Sequence, residues 1–236
     1  MYKRVLLKLS GEALKSEQDV LDIDMLKVIA EQLIRLSKLE VEVGVVLGGG
    51  NIWRGRKTNE MDKSRADHMG MLATAINSIA LSDVLLNMGA KCTVLSAVEM
   101  PRFCDTYTSR GAQKLLKEGH ILIFACGSGH PYFTTDTAAA LRAAEIEADA
   151  LLLAKHVDGV YSADPNDPNL TQAPVLYPQL TFQQVIDQDL KATDLTAITL
   201  CKEQNIPILV FGLNNPENIV RVVSGEKIGT LISSQS

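Results

Sequence analysis

Lys8-Leu9-Ser10-Gly11-Glu12 ends the first strand-like run of the chain with a cation, a hydroxyl and a glycine in succession. A lysine at the end of a buried strand would hold a fixed positive charge in the crevice beyond it, and Gly11 would let backbone N–H groups approach a phosphate. Taken by itself, the stretch reads better as a surface lysine beside an ordinary turn. Gly48-Gly49-Gly50 follows a second apolar run, with Arg54 and Gly55 just beyond. Three consecutive glycines cost conformational entropy on folding. That cost makes sense if the backbone must lie against something, and phosphate oxygens are the usual partner. Arg54 could present a bidentate fork to the same anion. Neither the GxxxxGK[ST] spacing nor a GxGxxG fingerprint occurs here, so any phosphate is bound by a different architecture.

Two more segments carry similar chemistry. Cys126 to Asp136 (CGSGHPYFTTD) links an apolar run to a helix, and its glycines, hydroxyls and aromatics could cradle a flat base and a phosphate together. Asp136 reads either as a carboxylate favoured at a helix N-terminus, by about 0.3–1 kcal/mol, or as a group facing magnesium and phosphates. His130 reads as a loop residue. Val157 to Pro165 (VDGVYSADP) reads as a surface loop by its Asp-Gly and Asp-Pro pairs, or as a place where Tyr161 and Asp164 meet an adenine and ribose. Asp67, in Asp67-His68-Met69-Gly70-Met71, could cap a helix or accept hydrogen bonds from two ribose hydroxyls.

The elements that must position these residues alternate between apolar runs and amphipathic stretches, the pattern of a largely parallel sheet covered on both faces. Strands are expected at Arg4–Leu9, Val41–Leu47, Lys91–Ser96, His120–Ala125, Ala150–Ala154 and Ile206–Phe211. Helices are expected at Ile23–Ser37, capped by Asp22 or Asp24, and at Asp67–Asn87, with Met69, Leu72, Ile76 and Ile79 on one face. Thr134–Ala148, Thr193–Gln204 and Pro216–Ser224 complete the set. The irregular stretch Ala163–Pro178 reads as a functional loop and not a hinge. One domain over residues 1–236 is expected, with nucleotide sites at the carboxyl ends of the strands.

A chain of 236 residues can bury a sizeable core. Its net charge of −5 offers no global attraction for nucleic acid or an anionic membrane. Cys92, Cys104, Cys126 and Cys201 form no CxxC pair, which suggests reduced thiols in a cytoplasmic protein. No uninterrupted apolar run reaches the roughly 18 residues of a membrane span. Lys8 interrupts the short apolar part of the N-terminus, against a signal peptide.

In this order, KLSGEAL, GGGN-IWRG, DHMGMLAT, SGHPYFTTD, EIEAD and VDGVYSADP resemble the UMP-kinase branch of the amino-acid-kinase family, over about Tyr2 to Ile232. The resemblance implies a three-layer α/β/α fold around a mostly parallel eight-stranded sheet, assembled as a homohexamer. It implies transfer of the γ-phosphoryl group of Mg·ATP to UMP in pyrimidine nucleotide biosynthesis. By position it sets Lys8, Leu9, Ser10, Gly11, Gly50 and Arg54 around the ATP phosphates, and Lys155, Tyr161 and Asp164 elsewhere on ATP. It assigns Gly49, Asp67 and the run Ser128, Gly129, His130, Pro131, Tyr132, Phe133, Thr134 and Thr135 to UMP. Lys8, Arg54, Asp136 and Asp194 become the catalytic set, and magnesium is expected to be carried by ATP and not held by protein alone. Inhibition by UTP is a family expectation. Activation by GTP is linked to a glycine-containing loop after GEAL, and Lys15–Leu21 has no glycine, which argues against it here.

Phosphoryl transfer needs two anions aligned and their charge stabilised, more than covalent work from protein. UMP phosphate is already ionised at neutral pH and needs no strong base. Two other readings stand beside this one. A relative that phosphorylates a carboxylate or carbamate would not need the nucleotide-like Asp67 and SGHPYFTTD segments. A non-catalytic nucleotide-binding protein would not need Lys8, Arg54, Asp136 and Asp194 together.

Overall fold

A computed structural model of the chain describes residues 1–54, 61–170 and 172–235. Gly55 of the glycine–arginine segment lies outside them. The strands are β1 (Arg4–Leu9), β2 (Glu42–Leu47), β3 (Cys92–Ser96), β4 (Asp105–Thr106), β5 (Ile121–Ala125), β6 (Ala150–Lys155), β7 (Val160–Tyr161), β8 (Leu176–Tyr177), β9 (Gln179–Thr181), β10 (Ile208–Gly212) and β11 (Thr230–Ser233). Between them lie α1 (Ile23–Lys38), α2 (Lys63–Asn87), α3 (Ser109–Lys117), α4 (Thr135–Glu145), α5 (Phe182–Asp187), α6 (Leu195–Glu203) and α7 (Asn218–Val223).

The main sheet runs β4-β3-β5-β2-β1-β6-β10-β11-β9. All its neighbours are parallel except β10 and β11. Among the described residues it has nine strands and not the expected eight; the count of eight is met if the two-residue edge strand β4 is set aside. Each central strand reads as an unbroken apolar run because both of its faces are covered. Val5, Leu7 and Leu9 join the core under α1, α2 and α7, while Leu6 joins the core under α4 and α6. Both cores are buried, at about 25 cal/mol per Å² of apolar surface removed from water.

Strand alternation then dictates where the chemistry goes. Lys8 shares the parity of Leu6, and Lys155 that of Leu151 and Leu153, so both lysines project to the α4 face at the carboxyl ends of β1 and β6. These strands are neighbours, with Lys8 opposite Leu153 and Leu9 opposite Ala154.

Helix α2 departs from expectation in two ways. It starts at Lys63, capped by the Asp62 side chain on Arg65 N, so Asp67 does not cap it. The stripe Met69, Leu72, Ile76 and Ile79 faces outward, with Leu72 56% exposed, and the buried face carries Ala73, Thr74, Asn77, Ser78, Leu81 and Leu85. By length and composition α2 could cross a membrane, although half of its most apolar stretch is buried in this fold. The stretch Ala163–Pro178 also carries more order than a loop: its end forms β8, which pairs with β7 as a small antiparallel ribbon.

Candidate active site

Lys8 is 7% exposed, not a surface lysine, and its ammonium forms an ion pair with Asp136 Oδ1. Lys155 Nζ donates to Asp136 Oδ2 at 3.1 Å, and Thr193 Oγ1 donates to the same oxygen at 2.7 Å. Asp136 Oδ1 is buried, touching the Lys8 ammonium without a well-directed hydrogen bond. Burial pushes the Asp136 carboxyl up, but the two ammonium groups outweigh it and hold the carboxyl well below the usual carboxylate range. Two cations thus face one anion in a largely dry place. The surplus is one positive charge.

On one side of this centre the turns after β1 and β2 come together. A Cβ at Gly11 would sit 2.6 Å from both Gly48 O and Gly50 N, so only glycine allows the two turns to touch. Gly49 packs the same way on α2, where a Cβ would lie 2.9 Å from Gly70 O. The triple glycine is therefore used first against the chain's own backbone. Gly50 alone of the three meets no backbone, and a Cβ there would stand only against the side chains of Glu12 and Arg54. Ser10 does not cap the 3-10 turn Gly11–Leu14 with its hydroxyl. Leu9 is fully buried, backbone included, and its carbonyl accepts from Gly48 N at 2.9 Å, so it supports the turn from beneath.

The second glycine turn shares a cavity with the first. Gly49, Asp67, Ser128, His130, Thr134 and Thr135 line one cavity, with Trp53, Thr74, Gly127 and Phe133 among its other walls. Of the expected acceptor run, Gly129, Pro131 and Tyr132 do not line it. Gly129, at φ 81°, backs onto Ala97, and Tyr132 N donates to Asp67 Oδ2 at 2.8 Å, orienting that carboxylate. Tyr161 and Asp164 line a separate depression with Val157, Ser162, Asp189 and Lys191. Lys155, at the end of β6, lies two residues before this wall.

Asp194 is placed differently from Asp136. It caps α6 by accepting from Ala197 N at 2.8 Å, and it also accepts from the hydroxyls of Thr137 and Thr134. Its oxygens are occupied by protein donors, so it holds the start of α4 against the start of α6. Among the described residues no three His, Cys, Asp or Glu side chains cluster as a metal cage.

The model of the amino acid kinase family matches residues 3–212. The chain belongs to the amino acid kinase family. It is similar over its whole length to a UMP kinase from Bacillus anthracis, with 35% identity, TM-score 0.94 and 97% of that chain covered. A UMP kinase from Ureaplasma parvum matches at 40% identity and TM-score 0.91, with 99% of each chain covered. A uridylate kinase from Archaeoglobus fulgidus is more distant, at 28% identity and TM-score 0.72 over 97% of this chain and 99% of that one.

In this kinase several residues beyond the sequence motifs hold the site together. Asn77, fully buried on α2, donates to Gly48 O at 2.7 Å and exchanges amide hydrogen bonds with Asn51. Thr74, one turn earlier, accepts from Cys126 N at 2.9 Å and donates to Met71 O. One helix face thereby fastens both glycine turns. The signal was present as polar Thr74, Asn77 and Ser78 at helical spacing within an apolar helix, which only a buried hydrogen-bonding face explains. Thr193 carried no comparable signal in its spacing.

Proposed function

We propose that this kinase transfers the γ-phosphoryl group of Mg·ATP to UMP, giving UDP and ADP. The observation that carries the reading is the unbalanced Lys8–Asp136–Lys155 centre. A buried surplus positive charge between two glycine-lined turns is suited to an anion whose charge shifts during reaction. The relatives named UMP kinase support the choice of acceptor.

In this reading UMP occupies the cavity lined by Gly49, Asp67 and Thr134, its ribose hydroxyls on Asp67 and its phosphate along Ser128 and the nearby amides. ATP lies with its phosphates over Ser10, Gly11, Gly50 and Arg54 and its nucleoside toward Tyr161 and Asp164. A UMP phosphate oxygen attacks the γ-phosphorus in line, and Lys8 and Lys155 offset the charge on the transferring oxygens. Asp136 keeps both ammonium groups in place. Asp194 acts through Thr134 and the α4 terminus, so its role is to position and not to touch the transferred group.

The Asp136 oxygens face Lys8, Lys155 and Thr193, and among the described residues no three acidic, histidine or cysteine side chains gather as a cage. A magnesium ion would be held by the phosphates of ATP, whose charge it offsets, and no step above runs through it. The continuous sheet supports one domain over residues 1–236. Four free cysteines fit work in a reducing cytoplasm, in pyrimidine nucleotide biosynthesis. The outward apolar stripe of α2 supports self-association, which we take to be a homohexamer, with UTP as an inhibitor. GTP activation finds no support in the glycine-free Lys15–Leu21 segment.

The test is an acceptor screen with Mg·ATP. UMP should give stoichiometric UDP and ADP, with CMP, acetylglutamate and carbamate far slower. Faster turnover of a carboxylate or carbamate, or ATP binding with no UDP formed, would overturn the assignment.

A further inference from the structure

Glu12 lies inside the first motif, in the turn just beyond the carboxyl end of β1. Its side chain is only 18% exposed and stands over Gly50, where a Cβ would lie 3.6 Å from Oε1. Arg54 Nε donates to that Oε1 at 2.9 Å, and Arg54 Nη2 meets the same oxygen at 2.7 Å. The second oxygen, Oε2, takes the Lys15 ammonium at 2.6 Å. We propose that Glu12 is a positioning residue, a rigid anionic strut that fixes the Arg54 guanidinium beside Gly50 so that its remaining edge meets the donor phosphates. The proposal rests on the donor-site reading given above.

Three observations converge on it. The contact engages Nε and Nη2 of the fork and does not involve Nη1, so a face of the guanidinium stays available to a second acceptor. Arg54 is 53% exposed, and ion pairs that exposed add little stability, so the pair is better explained by placement than by folding. Glu12 follows Gly11 directly, and Gly11 is in close contact with Gly48 and Gly50. The strut therefore stands on the most tightly packed backbone of the site. A hydrogen bond from Lys15, with the charge of Arg54, holds the Glu12 carboxyl below its ordinary range and keeps it ionised at neutral pH. A long arginine side chain loses rotamer freedom when it is fixed, and a strut meets that cost before the nucleotide arrives.

The test is a double-mutant cycle on the full chain with Mg·ATP and UMP, using Glu12→Gln, Arg54→Ala and the pair. Glu12→Gln should lower kcat/KM for ATP on the order of tenfold, leave KM for UMP within about twofold and leave Tm unchanged. In the Arg54→Ala background the same substitution should have no further effect, because Glu12 acts only through that side chain. Glu12→Asp, with a shorter reach but the charge retained, should recover part of the loss. If the two single losses multiply in the double variant, or KM for UMP moves as much as that for ATP, Glu12 is not a strut for Arg54 and the inference fails alone. If Arg54→Ala leaves all constants unchanged, the inference and the donor-site role of Arg54 fall together.

Discussion

Burial alone would favour the neutral form of Asp136, yet the ammonium groups of Lys8 and Lys155 keep it ionised. Asp136→Asn keeps the shape and removes the charge, leaving two lysines facing each other in a largely dry site. Loss of one partner from such a cluster costs about 3 kcal/mol, and turnover should fall at least a hundredfold. The folded pKa lies below the unfolded one, so the stabilisation is fully present above about pH 4 and is lost as pH falls through the lower folded value. Thermal melts of both proteins across pH 3–7 check this. The gap in Tm should be constant above about pH 5 and narrow below pH 4. A gap that widened on acidification would show the carboxyl to be unpaired. Only the face of Lys8 was legible, since strand parity in Leu6-Leu7-Lys8 sets it beside Leu6, and the stretch by itself reads as a surface lysine. That its partner would be Asp136 was not legible, because that pairing depends on which helix covers that face.

At the scale of elements, α2 decides whether the two glycine turns meet. Asn77→Ala would leave Gly48 O and the Asn51 amide without their buried partner, at a cost of about 1–3 kcal/mol. Thr74→Val, close in shape, would orphan Cys126 N and release the acceptor turn, where Cys126 is held at φ 63°. Calorimetric titration of UMP should show Thr74→Val weakening acceptor binding on the order of tenfold, with nucleotide-donor binding unchanged. Equal weakening of both ligands would mean that Thr74 supports the fold in general. The sequence pattern predicted α2 as a helix but inverted its faces. Met69, Leu72, Ile76 and Ile79 look like a core stripe by hydrophobicity, whereas the inward face is small and polar because it must bond to turns. Short strands were missed because β9 and β11 are too brief for periodicity to rise above their flanks, and β11 is fixed by pairing with β10 and β9; α3 and α5 also went unassigned.

At the scale of the whole molecule, the sheet places the glycine turns at one set of strand ends, and order β5-β2-β1-β6 brings together turns far apart in sequence. The repeated order of apolar run, glycine turn and helix made that architecture readable. The two edges of the sheet were less so, since edge pairing leaves weaker marks in composition. The outward stripe of α2 leaves Met69, Leu72, Ile76 and Ile79 exposed together, and the proposed assembly should bury it. The double variant Leu72→Asp/Ile76→Asp should lower the molecular mass seen by light scattering while far-ultraviolet circular dichroism stays unchanged. An unchanged mass would remove α2 from the contact between copies.

The claim on which the rest depends is that one buried ammonium serves the transferring group while the acceptor cavity stands without it. Lys8→Met keeps the aliphatic stem packed under α4 and removes the charge. Single-turnover UDP formation, read beside the Kd for UMP, separates the two roles. The expected result is transfer slowed at least a hundredfold with UMP affinity within about threefold of the parent. Transfer at the parent rate would contradict the account.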